Sequence, residues 1–329
     1  MTIGSCRQFM GRRRALAALA LGAVLVLEAC APKVIARGPE SASPRLDGAR
    51  FVADDGTEMR VRRWMPEGLP RSVIVAVHGM NEHGKAFEWP AASWRKNGIA
   101  TYAADQRGFG RSPDRGIWPG ADNLARDLAQ FVRQVRARHP DPPIFVLGES
   151  MGGGVALLTA ARGDLVDVAG VILVAPAVVP WDELPIAARA SMWLAAHTIP
   201  WFVFTGRGLD LRPTDNIDVW HEMSRDEDII RGARADAIYG LMQLMDRAAR
   251  AAPEVRVPVL LLYGEQDEFV REWMIDWLAG HLPEGRSDLT RYDDGYHWLL
   301  RDLEPDKVHG TILEWMAARV AERPVTNAP

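Results

Sequence analysis

The chain has 329 residues, 48% hydrophobic and 25% charged, with a formal net charge of −4. This is an ordinary globular balance, and the length accommodates one large α/β domain with an insertion or two small domains. No basic stripe lies beyond the first residues, which argues against a nucleic-acid partner read through phosphate contacts.

In chain order, Arg12, Arg13 and Arg14 precede an uncharged apolar run over residues 15–27, and Glu28, Ala29 and Cys30 follow. A basic region, a short apolar region and a small residue make a secretory signal over residues 1–30, and the run is too short for an ordinary transmembrane helix. Leu27-Glu28-Ala29-Cys30 resembles the lipobox of bacterial lipoproteins, with Glu28 as a departure from that pattern. The resemblance implies lipid attachment at Cys30 and a membrane-anchored protein on the periplasmic or outer side of a bacterial envelope. An ordinary cleaved signal or an uncleaved anchor, with a cysteine there by chance, is the alternative reading. Cys6 and Cys30 are the only cysteines, so a domain cut free of its signal carries no disulfide and no Cys-based metal site. Residues 31–50, with Pro32, Pro39 and Pro44, read as a flexible tether.

Residues 51–176 read as the first part of a folded core. Residues 51–64 form a hairpin about Asp54-Asp55-Gly56. Continuous apolar runs at 72–77, 99–104, 144–147 and 168–174 read as strands buried on both faces, as in a parallel sheet. Helical patterns lie between them at 88–97, which stops at Gly98, and at 121–139, where Leu124, Leu128, Phe131, Val132 and Val135 share one face. A second core part over residues 252–321 adds strands at 257–263 and 289–292 and a helix at 306–320; residues 322–329 are a tail. There is no internal repeat. The fold class is α/β: a mostly parallel sheet with helices on both faces and active groups at the carboxyl ends of its strands. Residues 177–251 break the alternation. They are helical in pattern, punctuated by Pro180, Pro185, Pro200 and Pro213, and carry Trp181, Trp193, Trp201 and Trp220. Inserted before the next strand, they should cap the strand ends. Their aromatics form a small helical core, with two or three apolar groups facing a pocket.

The most informative stretch is the run that ends at Leu147 and continues as Gly148-Glu149-Ser150-Met151-Gly152. Strand, abrupt turn and helix with a serine at the turn make a nucleophile elbow. Glycines on either side permit the close approach of strand and helix, and the helix N-terminus faces any anion that forms beside Ser150. A serine hydroxyl needs a base, and the base needs an acid to fix its tautomer. In an elbow fold these follow in the order serine, acid, histidine. Asp267 follows the strand at 257–263, with Glu265 and Glu268 as alternatives on the same loop. His297 follows the strand at 289–292; His281 and His309 fall at the wrong places. The oxyanion hole needs two backbone N–H groups. Met151 supplies one, and Met80, on the loop from His78 to His83, supplies the other. His78 and His83 read as loop-shaping hydrogen-bond partners rather than metal ligands.

His78-Gly79-Met80-Asn81-Glu82-His83, Asp105-Gln106-Arg107-Gly108-Phe109-Gly110-Arg111-Ser112 and Gly148 to Gly153 together resemble the monoacylglycerol lipase and lysophospholipase branch of the α/β-hydrolases, whose domain is also labelled after serine aminopeptidases. The resemblance covers about residues 50–320. It implies a triad of Ser150, Asp267 and His297, oxyanion donors at Met80 and Met151, a structural turn at Asp105, Arg107 and Gly108, and no cofactor. Asn81 stands where the family often has glycine, which implies a narrower or more polar entrance. The expected function is hydrolysis of single-chain acyl esters, monoacylglycerols or lysophospholipids. The competing expectations are a peptidase using the cap acids Asp182, Glu183, Asp226 and Glu227, and a non-catalytic binding lipoprotein.

Overall fold

The apolar runs become the middle of a nine-stranded sheet. The computed structural model describes residues 31–206, 208 and 211–322; the signal and Cys30 lie outside them. The strands are β1 (Arg45–Asp47), β2 (Arg50–Val52), β3 (Glu58–Trp64), β4 (Ser72–Val77), β5 (Ile99–Ala104), β6 (Ile144–Glu149), β7 (Val168–Val174), β10 (Val259–Gly264) and β11 (Ser287–Tyr292), in spatial order β1-β2-β3-β5-β4-β6-β7-β10-β11. From β5 to β11 every neighbour is parallel, whereas β3 runs antiparallel to β5. The two-residue strands β8 (Val203–Phe204) and β9 (Ala233–Arg234) form a separate ribbon in the insertion.

Side-chain alternation explains why the central runs are apolar throughout. In β4, Val73, Val75 and Val77 join one core while Ile74 and Ala76 join the other. β6 divides in the same way, with Ile144 and Val146 opposite Phe145 and Leu147. A strand buried on both faces has no solvated side on which to place polar residues. The first core is closed by α2 (Ala121–Arg138), α3 (Met151–Ala161) and α6 (Ala235–Ala251), the second by α1 (Glu88–Lys96) and α8 (Pro305–Ala321). Helices α4 (Ile186–Thr198) and α5 (Ile217–Arg225) belong to the insertion, and α7 (Glu272–His281) connects β10 to β11.

Two expected boundaries shift. The insertion does not extend to residue 251: Leu244, Ala248 and Ala249 of α6 are buried in the first core, where α6 lies against α3. The expected tether over 31–50 is laid along the domain. Ile35 N–H donates to Trp118 O (2.8 Å), Ser41 and Ala42 N–H donate to Asp54 O (2.9 and 2.8 Å), and β1 pairs with β2. Arg37 bridges Asp54 and Asp127. Proline and serine content suggested a free linker, but Arg37 ties the segment to two mostly buried carboxylates and Glu40 meets Arg126.

Candidate active site

β4 and β6 are spatial neighbours although β5 separates them in sequence, so the chain switches direction at this point and opens a crevice at the carboxyl ends. The loops after β4, β6, β10 and β11 carry the expected residues. Ser150 stands between β6 and α3 with φ 54° and ψ −120°, a strained conformation for a residue with a β-carbon. It is fixed by its backbone. Its N–H donates to Val174 O (2.9 Å), and its carbonyl accepts Gly153 and Ala177 N–H (both 2.9 Å). The elbow glycines are required by contact. A β-carbon on Gly152 would lie 2.0 Å from Val77 O, and one on Gly148 would lie 2.3 Å from Gly152 O.

Asp267 and His297 meet directly: His297 Nδ1 and Asp267 Oδ2 are 2.7 Å apart, both side chains buried. The other oxygen of Asp267 accepts the N–H groups of Phe269 (2.7 Å) and Val270 (2.9 Å), which holds the carboxylate independently of the histidine. Burial opposes charging His297, but the charge and hydrogen bond of Asp267, aided by Glu149 and Glu82, outweigh it and raise its pKa. Of the alternative acids, Glu265 is exposed and Glu268 accepts the Arg212 N–H (2.7 Å).

Met80 and Met151 occupy the loop after β4 and the first turn of α3, where helix N–H groups have no intrahelical acceptor. The loop is shaped by His78. Its Nδ1 lies 2.8 Å from Gly79 O and its Nε2 accepts the Gln106 N–H (2.9 Å), an arrangement of the neutral ring with the proton on Nδ1. Burial, the leading influence, holds its pKa below the ordinary histidine value. The Gly79 carbonyl and the Met80 N–H belong to one trans peptide and point in opposite directions. His78 therefore aims the Met80 N–H. Asn81 takes φ 67°, which explains an asparagine where a glycine would otherwise serve, and its carbonyl accepts the Ile230 N–H of the insertion (3.0 Å). His83 is bonded to Asp226 (3.1 Å), and with Asp228 these form a group whose ligand atoms lie within 4.8 Å of one another. Arg111 holds Asp228 through two contacts (2.8 and 2.9 Å) and Lys85 faces Asp226 at 3.9 Å, so protein cations already balance the group. Asp105, Arg107 and Gly108 hold structure: Arg107 bridges Asp55 and Asp127, and Gly108 has φ 79°.

Sequence reasoning missed the charges beneath the site. Arg301, four residues after His297, donates to Glu149 (2.7 Å) and Glu82 (3.1 Å), all three buried. The available signal was a glutamate and an arginine ending otherwise apolar runs. It also missed the seam between insertion and histidine loop. Asp302 accepts the Thr214 hydroxyl and the Tyr296 N–H (both 2.7 Å), and burial pushes its carboxyl up to about 6. Beside Asp267 and Tyr296 opens a cavity of about 840 Å³, lined from the insertion by Leu211, Ile217 and Trp220. Of the four insertion tryptophans only Trp220 lines it. Trp181 lines a separate hollow, and Trp193 and Trp201 are about half exposed.

A strained serine at a strand-to-helix turn, an Asp–His pair on later loops and a parallel sheet with a helical insertion define the α/β-hydrolase class. The model of the serine aminopeptidase S33 family matches residues 68–304, and the chain belongs to that family. It is 28% identical to rat (Rattus norvegicus) monoglyceride lipase over 86% of this chain and 97% of that one. It is 26% identical to the monoacylglycerol lipase of Mycolicibacterium smegmatis over 82% of this chain and 96% of the other. A soluble variant of Saccharomyces cerevisiae monoglyceride lipase, solved with a substrate analog, shares the fold with a TM-score of 0.71 at 19% identity, over 85% of this chain and 97% of that chain.

Proposed function

We propose that the protein hydrolyses carboxylic esters of single-chain lipids, monoacylglycerols or lysophospholipids, through an acyl-enzyme on Ser150. The observation that carries this is the 2.7 Å contact of Asp267 with His297 on loops at the carboxyl ends of the strands, where the strained serine also stands. In this reading Asp267 keeps the proton of His297 on Nδ1, leaving Nε2 to take the Ser150 proton as the oxygen attacks the ester carbonyl. The oxyanion is held by the N–H groups of Met80 and Met151. His297 passes its proton to the departing alcohol. Water, deprotonated by the same ring, then releases the fatty acid and restores Ser150. The relatives named above are lipases of monoacylglycerols, and the cavity beside Asp267 presents apolar Leu211, Ile217 and Trp220 among mainly charged and polar residues. Two of the cap acids weighed for a peptidase are already engaged, Asp182 by Arg250 and Asp226 by His83.

The test is a chain-length series of p-nitrophenyl esters and 1-monoacylglycerols on the full chain in detergent, with Ser150→Ala as control. Turnover of medium or long chains that disappears in the control supports the reading; turnover retained in Ser150→Ala overturns it.

A lipid anchor at Cys30 belongs to the same proposal. Lys33 N–H donates to Asp236 (3.1 Å), and the neighbouring Ala235 N–H donates to Phe202 O (2.8 Å) beside exposed Trp201 and Phe204. An anchor just upstream would then keep this apolar part of the insertion close to the bilayer. Incorporation of labelled fatty acid that is lost in Cys30→Ala is the expected result, and equal incorporation in both overturns it.

A further inference from the structure

Of the four segments that carry the candidate chemistry, those of Met80, Ser150 and His297 each contribute one charged side chain to a single buried cluster. Glu82 lies two residues after Met80, Glu149 immediately before Ser150, and Arg301 four residues after His297. They are 6%, 1% and 2% exposed. Arg301 Nη2 donates to Glu82 Oε1 at 3.1 Å and to Glu149 Oε2 at 2.7 Å. The second oxygen of Glu82 accepts the Gly79 N–H at 3.3 Å. The guanidinium carbon also sits 4.9 Å from the centre of the Trp298 ring, and the Arg301 carbonyl accepts the Asn216 amide of the insertion at 3.0 Å.

Stability does not account for such a cluster. Desolvating two carboxylates and a guanidinium costs as much as their attraction returns, and apolar residues of similar volume often serve as well or better. What an ion cluster does supply is direction: the two N–H groups of a planar guanidinium nitrogen bond only where their acceptors lie in fixed places. Here the acceptors belong to the oxyanion loop and the elbow. We propose that Arg301 is a positioning residue that, through Glu82 and Glu149, holds the Gly79–Met80 peptide and the Ser150 elbow in register with the His297 loop. Burial pushes the Glu149 carboxyl up to about 7, so the cluster carries one excess negative charge only once Glu149 ionises, and that charge then adds to Asp267 in favouring the imidazolium of His297. Arg301 acts through these groups and not on the reacting atoms.

The proposal rests on the serine-hydrolase reading, so its readouts include one that needs no ester substrate: the rate at which a fluorophosphonate labels Ser150 in the full chain. Arg301→Met should slow labelling and lower kcat on p-nitrophenyl butyrate by about 100-fold, the scale expected when reacting groups lose register, with KM changed less than about twofold. Arg301→Lys should recover part of the loss, because it restores the charge without the planar geometry of the guanidinium. Glu149→Gln, close in shape, should move the acid limb of kcat/KM to lower pH, since it removes a negative charge that favours protonated His297. A folded Arg301→Met protein with labelling and kcat within about twofold of the parent overturns the proposal. If Arg301→Met does not fold, Glu149→Gln and Glu82→Gln decide: an unmoved acid limb in the first together with unchanged kcat in both overturns it. Slow esterase turnover in the parent with rapid labelling would instead count against the substrate assignment and leave the positioning test intact.

Discussion

Asp267 and His297 are thirty residues apart in sequence, yet Oδ2 of one and Nδ1 of the other meet at 2.7 Å. The acid is already tied to its own loop by the Phe269 and Val270 N–H groups, so the histidine docks onto a fixed partner. Replacing Asp267 by asparagine keeps the shape but offers an amide that no longer demands the proton on Nδ1. We expect kcat to fall by about 10³- to 10⁴-fold, as when the wrong tautomer presents itself to the nucleophile. KM and circular dichroism should change little. A drop of less than about tenfold would reassign the acid.

The same contact sets a pH dependence. His297 must be neutral to accept the Ser150 proton, and its pKa is raised above the ordinary 6.5, with burial outweighed by Asp267, Glu149 and Glu82. Activity is therefore present above the raised pKa and lost as pH falls through it. The acid limb of kcat/KM, which reports the free enzyme, should be centred above 6.5. In Asp267→Asn, with the largest favourable charge removed, the residual activity should extend to lower pH. A parent limb centred below 6.5 would contradict this account of the site.

Gly152 tests the elbow without touching its chemistry. A β-carbon there would stand 2.0 Å from Val77 O and 2.8 Å from His78 O, both main-chain atoms at the end of β4. Nothing flexible is available to yield, so Gly152→Ala must displace α3 from β4 and move the oxyanion loop with it. We expect a loss of more than about 3 kcal/mol in denaturant unfolding, beyond the usual cost of overpacking. Any folded protein should show sharply reduced fluorophosphonate labelling. Gly310, on α8, has nothing within 4 Å of the same position and is the control: Gly310→Ala should be neutral or slightly stabilising.

The sheet was legible because strands buried on both faces have no choice but to be apolar, and β4, β6, β7 and β10 announce themselves in that way. Ser150, Asp267 and His297 were legible because each follows a strand in the order that the elbow requires. Arg301 and Glu149 were not. A charge at the end of an apolar run reads as a surface residue, and only the folded chain shows that the two, more than 150 residues apart, meet in the interior. Arg37 failed to register for the same reason: its partners Asp54 and Asp127 are distant in sequence, and proline-rich composition pointed to a free linker. The division of the insertion was also hidden. The apolar stripe of α6 is identical in kind whether it packs on a cap or on α3, and periodicity does not name the partner.

Trp220 offers the sharpest test of substrate class. It lies on α5, 40% exposed, with its ring centre 6.1 Å from that of Trp298, the residue after His297, and it lines the cavity shared with Asp267 and Tyr296. If that cavity receives an acyl chain, the indole covers several methylenes, each contributing about 0.8 kcal/mol when removed from water. Trp220→Ala should then lower kcat/KM for a dodecanoyl ester by about 10- to 30-fold, through KM more than kcat, while leaving an acetyl ester within about twofold. The half-exposed ring contributes little to the core, so thermal stability should be nearly unchanged. Trp181→Ala is the internal comparison, since its ring packs on Tyr239 over a different hollow and should leave the chain-length profile intact. Equal losses on long and short esters in Trp220→Ala would mean that the cavity admits the alcohol portion or serves as an exit, and that the acyl chain binds elsewhere beneath the insertion.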